Sequence, residues 1–223
     1  MGVERSTGEY LLFFDSDDLL LPFSLHLLAL FAAAFGSELV SGGFFYFAAE
    51  EGKNFLKEES VKGGNSLKEQ LLLQFGGNAY PIGATLVKRS AFESVGGFNP
   101  YFRYGEDFDL WNRLLLQGAA TVRLPFPLYL YRLHPGQSVK NLKGHFKHVD
   151  EALSLFFKRL RETCEELLDR EFLEEAIKRL LLRVEAAEKA ASEVIGYYEE
   201  RFGRTKSYRL LRKLYLRRFS KLP

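Results

Sequence analysis

The stretch that decides this chain is Tyr10–Leu20, YLLFFDSDDLL. An apolar run of strand length stops in three carboxylates, Asp15, Asp17 and Asp18, then turns apolar again. Anions this close repel one another unless a positive charge sits among them. With its approach, Thr7–Phe14 (TGEYLLFF), the run reads as a buried strand introduced by a Gly turn. Carboxylates at the end of a strand project into the crevice where open α/β sheets bind ligands. If strand geometry persists, Asp15 and Asp17 share a side. Their hard oxygens suit Mg²⁺ or Mn²⁺, with phosphate oxygens completing the shell. The same three residues also read as an acidic turn capping the next helix, with Asp18 near its start.

Outward from this point the chain alternates. Leu19–Phe35 is predicted as a helix with Pro22 in its first turn, and Val40–Ala48 as a second strand. Ser66–Phe75 reads as a helix closed by Gly76-Gly77, Ala84–Lys88 as a short strand, and Ser90–Val95 as a short helix stopped by Gly96-Gly97. Phe108–Gln117 continues a helix that opens near Gly105 and ends at Gly118. Thr121–Leu124 and Leu128–Leu133 read as two further strands. After His145 the texture changes. Phe146, Val149, Leu153, Phe156 and Leu160 form one amphipathic stripe, and Leu173, Ile177, Leu180 and Val184 begin another. The stripes lose register around Asp169–Glu171, which predicts a turn between two helices or one long bent helix. The chain is therefore mixed α/β up to residue 145 and all-helical over 146–223.

Composition bounds the class. The 223 residues are 47% hydrophobic and 27% charged, which describes a globular protein with an ordinary core and not a disordered one. The 21 Phe and 11 Tyr predict cores and clefts rich in rings. Cys164 is the single cysteine, so no internal disulfide forms and a reducing compartment is suited; in its helical context it reads as a buried thiol. The first ten residues are polar and charged, unlike a signal peptide. Leu19–Phe35 carries no fixed charge, yet it is short for a membrane span and reads as a buried core helix. Net charge is +2, but from Arg201 onward there are nine Lys or Arg and no acid. Within that tail, Tyr208, Leu211, Tyr215, Phe219 and Leu222 share a helical stripe. A basic amphipathic segment over 206–222 suits either an anionic membrane surface or packing with a solvated basic face. Nucleic acid is not expected, because no recognition module accompanies the charge.

Two more segments carry chemistry. In RYGEDFDLWNRL, Arg103–Leu114, Gly105 permits a tight turn and Glu106 and Asp107 fall in the first helical turn, where the helix dipole favours ionised carboxylates. Leu110, Trp111 and Leu114 form the inward face and aim Asp107 into a cleft, as a general base requires. Simple helix capping explains the same acids. In YRLHPGQSV, Tyr131–Val139, His134 follows a strand and stands at a loop mouth, where it could ligate a metal, contact a phosphate or face solvent.

Taken in order, GEYLLFFDSDD, GATLVKRSAFESVGGFNPYFRYGEDFDLWNRLLLQG and YRLHPGQSV resemble the second half of a family-2 glycosyltransferase with the GT-A fold, over residues 5–140. The resemblance implies a partial GT-A mixed sheet in 1–145, followed by a helical extension. It implies that Asp15, Asp17 and His134 hold a divalent metal, Mg or Mn, with Asp18 beside them. It further implies that Asp107 deprotonates an acceptor hydroxyl while Glu106 helps hold the acceptor. Gly83 and Ala84 would lie against the donor sugar, and Trp111 would support the ED turn. The implied reaction moves a sugar from a nucleotide-diphosphate sugar to a glycan or lipid-linked acceptor in one inverting displacement, in polysaccharide or cell-envelope synthesis. The expected place is the cytoplasm, at the inner face of the membrane if the tail docks there.

Family members begin with a nucleotide-binding half that precedes the GEY segment, and here nine residues stand before Tyr10. Without that half, the sheet is expected to expose an edge and apolar surface, which a partner chain, a second copy or further sequence would cover. Two other classes stay open. One is a non-catalytic remnant acting as a scaffold. The other is a metal-dependent phosphoryl-transfer or hydrolytic enzyme that uses the same acidic cluster.

Overall fold

The computed structural model describes residues 2–48, 57–59, 66–133, 142–183 and 185. In chain order these form α1 (Gly2–Arg5), β1 (Tyr10–Leu12), β2 (Leu19–Leu20), α2 (Ser24–Phe35), β3 (Leu39–Ala48), β4 (Lys57–Glu59) and α3 (Leu67–Phe75). There follow β5 (Thr85–Lys88), α4 (Arg89–Ser94), α5 (Glu106–Leu116), β6 (Thr121–Leu133) and α6 (Leu142–Thr163). The chain divides into two units, Met1–Arg179 and Leu180–Pro223. In the second, the described residues 180–183 and 185 are helical.

The sheet of the first unit is mixed. β3 and β6, the longest strands, pair in parallel, and the order runs β1-β5-β3-β6-β2 with β4 added to the far part of β3. All other pairings are antiparallel. The predicted break between 124 and 128 does not occur. β6 runs through Pro125 and Pro127, because the β3–β6 ladder shifts register there, from Ser41↔Arg123 to Gly43↔Pro127 to Phe44↔Tyr129. A proline that cannot donate to a ladder is accommodated at such an irregularity. Gly42 sits at the same point. A Cβ on it would come within 2.5 Å of Leu128 and 3.1 Å of the Phe126 carbonyl, so the close approach of the two strands requires glycine.

Three other sequence expectations are corrected. The strand expected over 7–14 pairs only over Tyr10–Leu12. The helix expected from Leu19 begins at Ser24, because Leu19 and Leu20 pair with Leu130 and Tyr129 of β6 instead. That helix is no buried core helix either. Only Ser24, Leu28 and Ala32 of α2 are buried, on Val40, Leu124, Leu128 and Tyr129, while Leu25, Leu30 and Phe35 lie exposed. The sheet ends in β1, whose described pairing is with β5 alone.

Two helices start on recognisable local chemistry. Ser66 and Glu69 form a capping box on α3, and Gly105 (φ 72°) makes the left-handed turn into α5. On the side of α3 and α5, Phe75, Phe156 and Phe172 pack together, with Phe108 edge-on to Phe156. α6 thus packs on α3 and α5. Its Val149 lies over Gly105, and its Arg159 bonds the buried carboxylate of Asp109 on α5 at 2.6 Å. Arg113 takes the other oxygen of Asp109 at 2.8 Å and also donates to the Val95 and Gly97 carbonyls, which ties the GGF turn to α5. The break between the two helical stripes falls at Cys164–Asp169, a few residues before the predicted turn, and Asp169 caps the second helix through the Phe172 N–H. Cys164 is buried, at that break and not inside a helix.

Candidate active site

β1 stops at Leu12 because Phe13 turns into a ring cluster with Phe92 and Phe98. The next residues make a turn, with the Asp18 N–H bonded to the Asp15 carbonyl at 3.2 Å. Strand alternation therefore does not set the acids: the turn presents Asp15 exposed, Asp17 half-exposed and Asp18 buried. The end of β6 staples this turn in place. The Arg132 N–H donates to Asp18 Oδ1 at 2.8 Å, and the Arg132 Nε donates to the Asp17 carbonyl. Burial, reinforced by Asp17 and Asp15, pushes the Asp18 carboxyl up to about 6 against the opposing pull of the Arg132 N–H.

At the start of α5, Asp107 is half-buried. Its Oδ2 accepts from Asn78 Nδ2 at 2.6 Å and its Oδ1 from the Phe108 N–H at 2.7 Å. The helix dipole predicted an ordinary ionised carboxylate. Burial outweighs it, followed by the neighbouring Glu106 charge, and the Asp107 carboxyl rises to about 7 while the Phe108 N–H and Asn78 hold it lower than it would otherwise be. Glu106 is raised as well, by burial and then by the field of Asp15. Two acidic segments some ninety positions apart in the sequence thus lie close enough to act on each other.

Gly83 and Ala84 are both buried, in a 3-10 turn leading into β5. The ring of Tyr129 covers Gly83 so closely that a Cβ there would stand 2.8 Å from it. Trp111 is fully buried, so it packs behind the ED turn and has no surface to offer a ligand. His134 lies outside the described residues, as does the 206–222 tail. Sequence reasoning missed Asn78 and the sheet tyrosines Tyr46, Tyr129 and Tyr131. Asn78 stands in a loop without periodicity, and the tyrosines read as ordinary strand residues. Arg132 lies in the YRLHPGQSV segment, but its reach back to the Asp17–Asp18 turn is a long-range contact that the segment does not encode.

The cation implied by the resemblance fits these residues only as a part-site. Asp18 is already held by the Arg132 N–H, and among the described residues no three His, Cys, Asp or Glu side chains gather to hold a metal. The carboxylates of Asp15 and Asp17 are hard donors at an open turn. A divalent ion there would take its remaining ligands from phosphate oxygens or water.

Residues 1–96 match the family model described as Glycosyl transferase family 2. Among solved structures, TarS of S. aureus matches with a TM-score of 0.52 at 14% identity, over 81% of this chain and 29% of that chain. A structure of TarS 1–349 in complex with UDP-GlcNAc matches with a TM-score of 0.48 at 15% identity, over 80% and 57%. No curated protein matches the sequence. Residues 1–96 therefore carry sequence similar to family-2 glycosyltransferases, and the chain has a partial GT-A fold. It spans less than a third of the TarS chain with the higher TM-score. Among the described residues no helix is long and apolar enough to cross a membrane.

Proposed function

We propose that this chain carries the catalytic part of a glycosyltransferase that moves a sugar from a nucleotide-diphosphate sugar to an acceptor hydroxyl with inversion. The observation that carries this reading is Asp107: a half-buried carboxylate, oriented by Asn78 and raised to about 7, beside a Glu106 that feels Asp15 of the acidic turn. A base with a pKa near the working pH combines a useful ionised fraction with proton affinity. The acceptor oxygen attacks the anomeric carbon, its proton passes to Asp107, and the bond from that carbon to the diphosphate oxygen breaks. Glu106, beside the base, would bond the acceptor. A divalent cation on Asp15 and Asp17, with His134 as a further ligand, would neutralise charge on the departing diphosphate. Asp18 acts on Arg132 and so fixes the turn. Gly83 and Ala84 would back the sugar, and Trp111 would hold the ED turn from behind. The acceptor class is a glycan or lipid-linked glycan, the 206–222 segment is a membrane-surface contact, and a partner chain or second copy would cover the β1 edge.

The test is a thermal-shift panel of UDP, GDP, dTDP and their sugars, UDP-GlcNAc first, each with and without Mn²⁺, on the wild type and Asp17→Ala. A Mn²⁺-dependent rise for one nucleotide, lost in Asp17→Ala, supports a donor site in this chain. A flat panel would favour the scaffold reading instead. Turnover of a simple phosphate ester by the same protein would favour phosphoryl chemistry.

A further inference from the structure

Between the acidic turn and the ED turn the sheet presents aromatic rings and no aliphatic side chain at four paired positions. The register pairs Phe44 with Tyr129 and Tyr46 with Tyr131. The four rings form one contiguous group: Tyr46 to Tyr131 at 5.7 Å, Phe44 to Tyr129 at 5.4 Å, Phe44 to Tyr46 at 4.9 Å and Phe44 to Tyr131 at 6.0 Å. Phe14, the last residue before the acidic turn, meets Tyr129 edge-on at 6.2 Å. Tyr129 is buried and backed by Gly83, whereas Tyr46 and Tyr131 are only half-buried and keep open surface. Tyr131 also adjoins Arg132, whose N–H holds Asp18.

The Tyr129 and Tyr131 phenols lie near enough to the acidic residues to feel their charges. Burial raises Tyr131 first, and then the charges of Asp18, Asp15, Asp17 and Asp107 act on it, so one hydroxyl feels both acidic segments. Tyr129 is raised by burial and then by Asp18, with Tyr131, Tyr46 and Asp107 adding to it. These hydroxyls therefore stay protonated and remain able to donate hydrogen bonds. A core alone does not need this pattern. Tyrosine offers an apolar face and a polar tip, which is what a ring bearing both C–H and O–H groups requires.

We propose that Tyr46 and Tyr131, stiffened by Phe44 and Tyr129, form the platform for the transferred sugar, and that this sugar is a neutral pyranose. The pyranose would lay its C–H face on the two half-buried rings and accept or donate at their hydroxyls. An acidic sugar is disfavoured, because its carboxylate would lie on the electron-rich faces of two half-buried phenol rings, where a charge without a cation partner is costly. The cation at hand, Arg132, is already turned onto the Asp17 carbonyl and lies beside Asp18. This proposal rests on the sugar-transfer reading and adds to it the residues and the charge class that select the sugar.

The experiment is titration calorimetry with Mn²⁺, comparing each nucleoside diphosphate with its sugar conjugate, on the wild type, Tyr46→Phe, Tyr131→Phe and Tyr131→Ala. The wild type is expected to bind the conjugate more tightly than the bare diphosphate. Each Phe variant is expected to lose about two- to tenfold of that gain, the range for one hydrogen bond. Tyr131→Ala should abolish the gain while binding of the bare diphosphate persists. UDP-glucuronate is expected to bind at least tenfold more weakly than UDP-glucose. Bare-diphosphate binding with a sugar gain unchanged in all three variants would overturn the platform and leave the transferase reading standing. No binding of any nucleotide by the wild type would overturn both. Melting curves of the variants guard against unfolding, and Tyr131→Phe keeps the ring packing intact.

Discussion

Asn78 Nδ2 and Asp107 Oδ2 meet at 2.6 Å, across a gap of 29 positions in the sequence. The bond favours the ionised form of Asp107, against burial and the Glu106 charge that push its carboxyl to about 7. Removing the donor leaves those opposing causes in place. Asn78→Ala should therefore move the acid limb of the kcat/KM profile to higher pH, by about half a unit or more, given the usual strength of a hydrogen bond to a charged group. A purely structural role for Asn78 would lower activity at every pH without moving the limb. The pH profiles of wild type and variant separate these outcomes.

Asp107→Asn keeps the shape and removes the base. Activity should fall about 10²- to 10⁴-fold, the usual contribution of a positioned general base. Stability should respond in the opposite sense. The native state binds the Asp107 proton more tightly than the unfolded chain, so between about pH 4 and 7 wild-type stability falls as pH rises. Asp18, raised to about 6, adds a slope of the same sign. The Asn variant is spared the Asp107 contribution. Its Tm should exceed that of the wild type at pH 8, and the advantage should shrink towards pH 4. An equal Tm difference at both pH values would refute the raised Asp107.

Local chemistry made α3 and α5 legible, and long-range packing hid much of the rest. Ser66 with Glu69 marks the start of α3, and Gly105 marks α5, from residues a few positions apart. The strand predicted as two pieces, Thr121–Leu124 and Leu128–Leu133, is one, because a single sequence does not reveal that the partner strand shifts register beside Pro125 and Pro127. Asp15, Asp17 and Asp107 were visible as chemistry by their order along the chain. Their presentation was not, since it depends on Phe13 entering the Phe92–Phe98 cluster and on Arg132 reaching back from β6. Asn78 left no signal, because its contact exists only once the loop after α3 closes on α5.

Asp109 is the buried acid of α5 that does no chemistry. Its side chain is 0% exposed, and Arg113 and Arg159 each take one oxygen, at 2.8 and 2.6 Å. Arg159 comes from α6 and is 27% exposed, so solvent offsets part of what its loss would cost. Arg159→Ala should cost about 2 kcal/mol, below the range for a fully buried pair, and lower the Tm by about 4–8 °C. Combining it with Asp109→Ala should cost less than the sum of the two single changes, because the second removes the carboxylate that the first leaves short of a partner. Additive losses in thermal melts would show that the two residues do not act as a unit.

Gly83 tests how tightly the sheet backs the cleft. A Cβ at this position would stand 2.8 Å from Tyr129 Cε2 and 3.0 Å from Cδ2, and that ring is buried against Phe44 and Phe14. The ring has little space to retreat, so Gly83→Ala should destabilise by about 1–3 kcal/mol, the usual cost of overpacking. Removing the hydroxyl in Tyr129→Phe leaves the clash intact and should not rescue the variant. Tyr129→Leu takes the ring away and should recover part of the loss in the double variant, although it is destabilising alone. Denaturant melts of the four proteins decide the matter. If Gly83→Ala were as stable as the wild type, Tyr129 would have room to move, and the rigid backing of the tyrosine platform would fall with it.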